Sequence, residues 1–545
     1  MKKLGMDGNQ RIVQSLFLAA VLGALATGCT TYQQQNKVIL YWHQGNLTNA
    51  IVEATQKADA NSSDKDAIIW RLEQGAVLRA NGQYEDSNKA FDMAQDQIDR
   101  YSQKAKVSIS SETGALLSNQ AELPYEGRAY DGIMLNTYEA LNYLALGEID
   151  KARPELIRAY QRQQDAVEEN RKRIAKVQAE AANQTNSVAI QKAQSDSTFQ
   201  AEMQGTNYAN LNTLKPYADY VNPFTVYLDG LYFMANAADS SDLERAHKSL
   251  ERVAEFDPEN DYVRQDLAAA GDLMNGKQLQ PTTYVIFETG CAPERGQIRI
   301  AIPIIVSKVS YIGAAFPTLQ MQYNYSPGLT VTAGDVPIVI DNSMATTSVF
   351  DTNAPVPSNP ADSSDTNATA TDTNTAIVVT TVAVAVDTNA TAVSTTTTTT
   401  TIITNLTLTT SQIASMDSVI GLDFKNEMPV IITKTIASTV IKAVAAYAAN
   451  NAAQQQNNFA GLFMQLGTAI YQDAVNIADT RTWTTLPKEF QVCRIPTPLD
   501  RKIVLETPGG LQRIPVTIQG GTINIIYVKS ITATSPLLVT QIKLK

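Results

Sequence analysis

Residues 70–94 read WRLEQGAVLRANGQYEDSNKAFDMA, and the spacing of their small and large side chains decides the fold of the first half of the chain. Apolar residues recur at three- and four-residue intervals, which predicts helix on both sides of Asn81-Gly82. Gly75 and Leu78 share a face of the first helix, Gly82 turns the chain, and Tyr84, Ser87, Phe91 and Ala94 lie along the second. A small residue at position 75 lets two antiparallel helices approach closely. The same offsets return at 136–159, NTYEALNYLALGEIDKARPELIRA, with Ala140, Tyr143, Gly147, Ile149, Ala152, Leu156 and Ala159. They return again at 223–258, which keeps Gly230, Phe233, Leu243, Ala246, Leu250 and Pro258 around a longer turn. A weaker copy, YWHQGNLTNAIVEATQKA, precedes them at 41–58.

This pattern resembles the tetratricopeptide repeat, in which paired helices stack and leave a concave face. The resemblance implies a groove for a partner's peptide or helix, with Tyr84, Phe91 and Tyr143 lining or supporting it. Tyr125, Arg128 and Tyr130 of PYEGRAYDG, at the start of a helix, are further partner-binding candidates that equally suit an internal anchor. Between the second and third copies, QRQQDAVEENRKRIAKVQAEAANQ alternates charges without a continuous apolar stripe. It predicts a long charged helical extension near 160–200, exposed and laced by salt bridges.

After residue 280 the period changes to two, in TYVIFET, QIRIAIPIIV and TVTAGDVPIVI, and a β-rich domain begins. Residues 342–410 are dominated by Thr, Asn, Asp, Ala and Ser, with four Asp-Thr-Asn triplets and seven threonines from Thr395. Such a stretch buries too little apolar surface to offset its ordering entropy and reads as a disordered insertion, apart from a strand-like patch at IVVTTVAVAV. Two helical segments follow, SQIASMDSVIGLDFKNEMPVIITKTIASTVIKAVAAYAANN at 411–451 and FAGLFMQLGTAIYQDAV, and read as a helical hairpin. The last strands are KEFQVCRI, RKIVLE, RIPVTI, TINIIYVKS and LLVTQIKLK. The expected fold class is therefore α+β. A repeat domain spans 29–279, a first β portion 280–341, the insertion 342–410, and the hairpin with the remaining strands 411–545.

Upstream of the repeats, Lys2, Lys3 and Arg11 precede the apolar run IVQSLFLAAVLGALA, which ends in LATGC. That order is a secretory signal over residues 1–28. LATGC resembles the lipobox of bacterial lipoproteins, departing from it at Ala26, where leucine is commoner. The resemblance implies lipidation of Cys29 by acyl chains such as palmitate, a membrane attachment through that anchor, and, with Thr30 following, the outer membrane facing the periplasm. A net charge of −11 argues against nucleic acid, whose recognition needs a basic surface. Val430 to Ala449 is apolar but interrupted by Lys434 and Lys442, and reads as a helix buried on one side.

Chemical motifs are few. GDLMNGK at 271–277 matches half of a phosphate loop, yet a helix precedes it and Gln278 follows, so Asn275-Gly276 reads as a helix C-cap. With His43 and His247 alone, and no CxxC, no metal site or cofactor is expected. Cys291 and Cys493 either pair in an oxidising compartment or remain two isolated buried thiols. Asp479, Arg481 and Trp483 of ADTRTWTTLP suit either an anionic or sugar ligand or an anchor at a helix-to-strand junction.

The blocks 124–163 and 478–496 resemble an uncharacterised family of repeat-containing bacterial lipoproteins. That resemblance implies a tethered periplasmic protein without assigned catalytic residues, and association with lipoproteins resembling penicillin-binding-protein activators, hence with peptidoglycan synthesis. The reading it favours is a non-enzymatic scaffold or binding protein that contacts other envelope proteins. Its rivals are an envelope enzyme acting on glycan through the C-terminal domain, and an accessory subunit of an outer-membrane secretion or motility complex.

Overall fold

The computed structural model describes residues 36–107, 120–215, 217–218, 220–305, 309–341, 376–380, 399–456 and 477–545. Cys29 and residues 1–28, read as a secretory signal, lie outside this range. Helices fill the N-terminal half and sheets the C-terminal half.

Helices α1 (Lys37–His43) and α2 (Leu47–Ala60) lead into the pair α3 (Ala67–Ala80) and α4 (Tyr84–Val107). A second pair, α5 (Ala129–Ala145) and α6 (Ile149–Ala182), and a later one, α10 (Pro223–Asn236) and α11 (Ser240–Phe256), repeat the arrangement. Gly82 and Gly147 adopt φ of +74° and +76° in the first two turns, a conformation that favours glycine. Close approach is equally visible: a Cβ added at Gly75 would lie 2.3 Å from the Phe91 ring, and one at Gly230 would lie 2.7 Å from Leu250. Short helices α7 (Ser187–Gln194), α8 (Ser197–Gln204) and α9 (Thr206–Ala209) bridge to α10, and α12 (Asp261–Met274) closes the helical half. Its C-cap is Asn275, followed by Gly276 at φ +82°, which accounts for GDLMNGK as a helix end.

Twelve strands follow among the described residues: β1 (Thr282–Thr289), β2 (Glu294–Ile305), β3 (Val309–Gln320), β4 (Thr330–Asp341), β5 (Ala376–Thr380), β6 (Thr399–Thr409), β7 (Ser411–Ser415), β8 (Glu489–Pro496), β9 (Lys502–Glu506), β10 (Arg513–Thr517), β11 (Ile523–Ser530) and β12 (Leu538–Lys543). One sheet has the order β12-β11-β1-β8-β7, with β1 and β11 parallel, and a second has the order β10-β9-β4-β6-β5. β2 and β3 form a separate hairpin.

The first sheet is covered on both faces. Tyr284, Ile286, Val492, Ile525 and Tyr527 pack with the helices. The alternate residues Val285, Phe287, Cys493, Ile526 and Val528 pack with Val331, Ile503 and Leu505 of the second sheet. This two-sided burial leaves every residue of TTYVIFET buried, where the sequence suggested a period of two with one polar face.

Between β7 and β8 runs α13 (Met416–Gln456), 41 residues and about 60 Å long. Ile420, Phe424, Ile431, Ile436, Ala437 and Val440 pack against the helices and the β2–β3 hairpin, and over 416–444 only Lys425 and Pro429 are exposed, so this stretch is buried nearly all round and not on one face as its sequence suggests. No helix among the described residues is long and apolar enough to cross a membrane.

Three expectations are corrected or bounded here. The segment read as the second arm of a helical hairpin, 459–475, lies outside the described residues. Residues 399–409, read as insertion, form strand β6, because antiparallel pairing with β4 gives the threonine-rich run a partner that composition does not reveal. The charged extension is one continuous helix to Ala182, with the short α7 and α8 covering most of the rest to Gln204, and it is not wholly solvated: Ala166, Val177 and Ala181 are buried, and Asn170 donates to the Asn426 carbonyl of α13. Its outer face carries the expected salt bridges, Glu168 with Arg171 and Lys172.

Candidate functional site

The inner face of the helix pairs is filled by the protein's own chain. Residues 478–486 run without regular secondary structure between the helices and the first sheet, and all but Asp479 are buried. Arg481 is held from several sides: Nε and one terminal nitrogen donate to Asp479, at 2.8 and 3.0 Å. The other guanidinium nitrogen reaches Asp66 at 3.0 Å and the Leu123 carbonyl at 2.8 Å. Burial pushes the Asp479 carboxyl up, but Arg481 overrides it and holds it below its ordinary value.

Trp483 lies edge-on to Phe91 and Tyr138, with ring centroids 5.8 Å away in both cases, and its indole nitrogen donates to Thr485 at 2.9 Å. Glu73 of α3, fully buried, accepts from the Thr484 amide at 2.8 Å and from the Thr485 hydroxyl at 2.7 Å. Asp479, Arg481 and Trp483 are thus held by partners within the chain, the arrangement an internal anchor requires.

The remaining candidates divide sharply. Phe91 is completely buried; Tyr84 hydrogen-bonds Thr540 of β12 at 2.7 Å. Tyr130 meets the Thr482 hydroxyl at 3.1 Å, and Tyr125 donates to Asp131 at 2.5 Å. Arg128 is buried in an ion cluster: it pairs with Glu427 of α13 at 2.6 Å, and Arg295 of β2 reaches the same carboxylate at 2.8 Å. Burial raises the Glu427 carboxyl, yet Arg128 and Arg295 together hold it well below the usual range. Asp423, one turn earlier on α13, is pushed up by burial and by Glu427 beside it. So five of the six residues expected to line a partner groove belong to the internal framework, because the sheet and residues 478–486 occupy the face they point to. Tyr143 is half-exposed, like Tyr84, but its ring meets only Lys151 of its own helix pair, at 5.7 Å.

Of the two alternatives left open for Cys291 and Cys493, the structure has the isolated thiols and not the bridge. Both thiols are free and buried, Cys291 among the helices and Cys493 between the two sheets, so the first sheet separates them. Burial pushes each up to about 12.

The sequence reading missed the acidic side chains that matter most. Glu288 of β1 is buried and accepts from Tyr138 at 2.9 Å, from Tyr527 at 2.5 Å and from Lys529, which joins sheet to helices. Asp266 of α12 does the same work for Tyr227 and Tyr284, both at 2.7 Å, and for Arg494 at 2.9 Å. Glu288 lies within the otherwise uncharged run TTYVIFET, and that isolated charge was the available signal. Among the described residues no group of three or more His, Cys, Asp or Glu is placed to hold a metal ion.

Fold and site together define an α+β protein in which consecutive helix pairs close over a sheet and over a segment of their own chain. No family model, no curated protein and no solved structure matches it.

Proposed function

We propose that this chain is a lipid-anchored scaffold or binding protein of the bacterial cell envelope, built on tetratricopeptide-like helix pairs and acting through contacts with other envelope proteins. One observation carries the choice of scaffold: the buried acids and aromatic residues at the heart of the molecule are spent on joining helices to sheet. Glu73, Asp266, Glu288 and Glu427 each accept several hydrogen bonds from the chain itself. Support for the repeat reading comes from Gly75 against Phe91 and Gly230 against Leu250, the same small-against-large crossing at equivalent offsets. Support for the anchor comes from LATGC at the end of an apolar run.

The partner contact then belongs on the outer surface, since the inner one is occupied. In-cell crosslinking followed by mass spectrometry of captured proteins tests the reading, alongside intact-mass analysis of the mature N-terminus. Diacylated Cys29 and recurrent envelope partners are expected. An unmodified first residue, or no captured protein, overturns it.

A further inference from the structure

Asn36, at the root of α1, is fixed to the body of the molecule. It is buried, its side-chain amide donates to the Thr484 hydroxyl at 3.4 Å, and its side-chain oxygen caps α1 by accepting from the Ile39 amide at 3.3 Å. Only residues 30–35 separate this fixed point from Cys29. Even fully extended, that connection spans at most about 25 Å. α1 packs Val38 and Trp42 inward, and its opposite face carries Lys37, Leu40 and Gln44, with Tyr41 half-buried at the border. The Asn46 amide donates to the Tyr41 carbonyl at 2.9 Å in a tight turn, and α2 packs Ala50 and Ala54 inward while Val52 points away from them. Leu40 and Val52 keep 54% and 50% of their surfaces in water.

Charge sets this hairpin apart from the rest of the helical half. No Asp or Glu occurs from Cys29 to Val52, in a chain that has 54 of them among 545 residues, and Lys37 is the one formal charge of that stretch. The outer face of α6, by contrast, presents Glu168, Arg171 and Lys172. A surface that enters a lipid headgroup layer must bring apolar side chains to the acyl boundary and leave carboxylates out, because they would lose water there and meet the phosphates' negative charge. Lys37 has the sign the phosphates attract, and its long stem lets the ammonium reach them while its methylenes lie against apolar groups.

We propose that the outer face of the α1–α2 hairpin, with Lys37, Leu40 and Val52, rests on the phospholipid surface that the acyl chains of Cys29 enter, and so fixes how the molecule is turned on its membrane. The inference rests on the lipid-anchor reading of Cys29. A tether of six residues rooted at an immobile Asn36 keeps the hairpin within about 25 Å of the lipid, so this surface meets a bilayer before any other partner. Leu40 and Val52 then leave water, Lys37 faces the phosphates, and the charged outer face of α6 stays in solution.

The test uses the full chain purified from membranes and reconstituted on vesicles of phosphatidylcholine and phosphatidylglycerol that contain a phosphatidylcholine spin-labelled near the head of its acyl chain. Gln44→Cys, exposed on the same face of α1, carries a nitrobenzoxadiazole fluorophore; Cys291 and Cys493 are buried, and the unsubstituted chain measures any label they take up. In chain that floats with the vesicles, emission at position 44 is expected to fall about twofold or more, since an interfacial helix lies at the depth of the spin label. The same label at Val188→Cys, an apolar position 66% exposed on α7, is expected to keep its emission. Leu40→Asp combined with Val52→Asp, both on the exposed surface, leaves flotation intact and removes the quenching at position 44. Three results in floating chain overturn the inference alone: no quenching at position 44, even where a protein shields the label from water; equal quenching in the double variant, which a short tether by itself would give; or quenching as strong at position 188. Chain that does not float, with an unmodified Cys29 by mass spectrometry, overturns the anchor reading and this inference with it.

Discussion

Replacing Glu427 by glutamine takes the negative charge from between two guanidinium groups that have almost no contact with water. The side chains of Arg128 and Arg295 are 7% and 1% exposed, and both touch Glu427, at 2.6 and 2.8 Å. Removing one partner of a buried ion pair costs about 3–5 kcal/mol, because the remaining charge keeps its desolvation penalty without its compensation. Asp423 stands beside the pair and softens the loss only by giving up its proton, which burial opposes. The expected cost therefore lies in the lower half of that range at neutral pH.

The cluster ties α13 to the start of α5 and to residues 478–486, so the loss is local before it is global. Hydrogen exchange read by mass spectrometry reports it: α13 and the Arg481–Thr485 amides are expected to exchange on the order of 10²-fold faster, while the second sheet changes little. Replacing all three charges with similarly sized apolar residues (Glu427→Leu, Arg128→Met, Arg295→Met) is expected to restore much of the protection. Unchanged exchange in Glu427→Gln, or a triple variant less protected than the single one, would refute the assignment of this cluster as the clasp.

Four further outcomes follow from the same geometry. Gly75→Ala pushes a methyl into the Phe91 ring and should cost about 1–3 kcal/mol of overpacking, partly offset by about 1 kcal/mol of helix propensity; Gly313→Ala, with nothing within 4 Å, should be neutral in the same urea titration. Trp483→Ala empties the space between Phe91 and Tyr138 and should cost about 3–5 kcal/mol by the same measurement. Asp131 is raised by burial to about 6, so the folded state holds its proton longer than the unfolded chain does. Its contribution is most favourable below about pH 4 and is lost as pH rises to about 6; urea midpoints across that window should show this slope in wild type and not in Asp131→Asn. Finally, Cys291 and Cys493 should resist alkylation at pH 8 in the native protein and both react after denaturation without reductant; protection that persists until reductant is added would mean a bridge.

Local patterns carried much of the architecture. Gly75 and Phe91 were legible because a missing side chain and a large one sit at offsets that only two packed helices bring together. The ends of helices at Gly82, Gly147 and Asn275-Gly276 were legible for the same reason, since the requirement lies within a few residues. Strand β6 was not. Its threonines look like low complexity until β4, some 60 residues earlier, supplies the ladder. The inner groove misled for a related reason: the side chains that suit a partner's peptide also suit residues 478–486, and sequence spacing does not tell a ligand in trans from one in cis. Asp479, Arg481 and Trp483 were recognisable as a junction because their complementary partners lie two residues apart. Glu288 was passed over because a lone acid does not show what it joins until its neighbours are placed.

The position of β1 bears on how the molecule must be assembled. Its flanking strands β11 and β8 arrive about 200 residues or more after it, and the helices cover its remaining face. A nascent chain therefore holds a strand destined for burial on both faces, with two unsatisfied edges, until Glu489–Ser530 has been added. Truncations anywhere before that point should yield sticky, protease-sensitive fragments, and the helical half expressed alone should require a chaperone to stay dispersed.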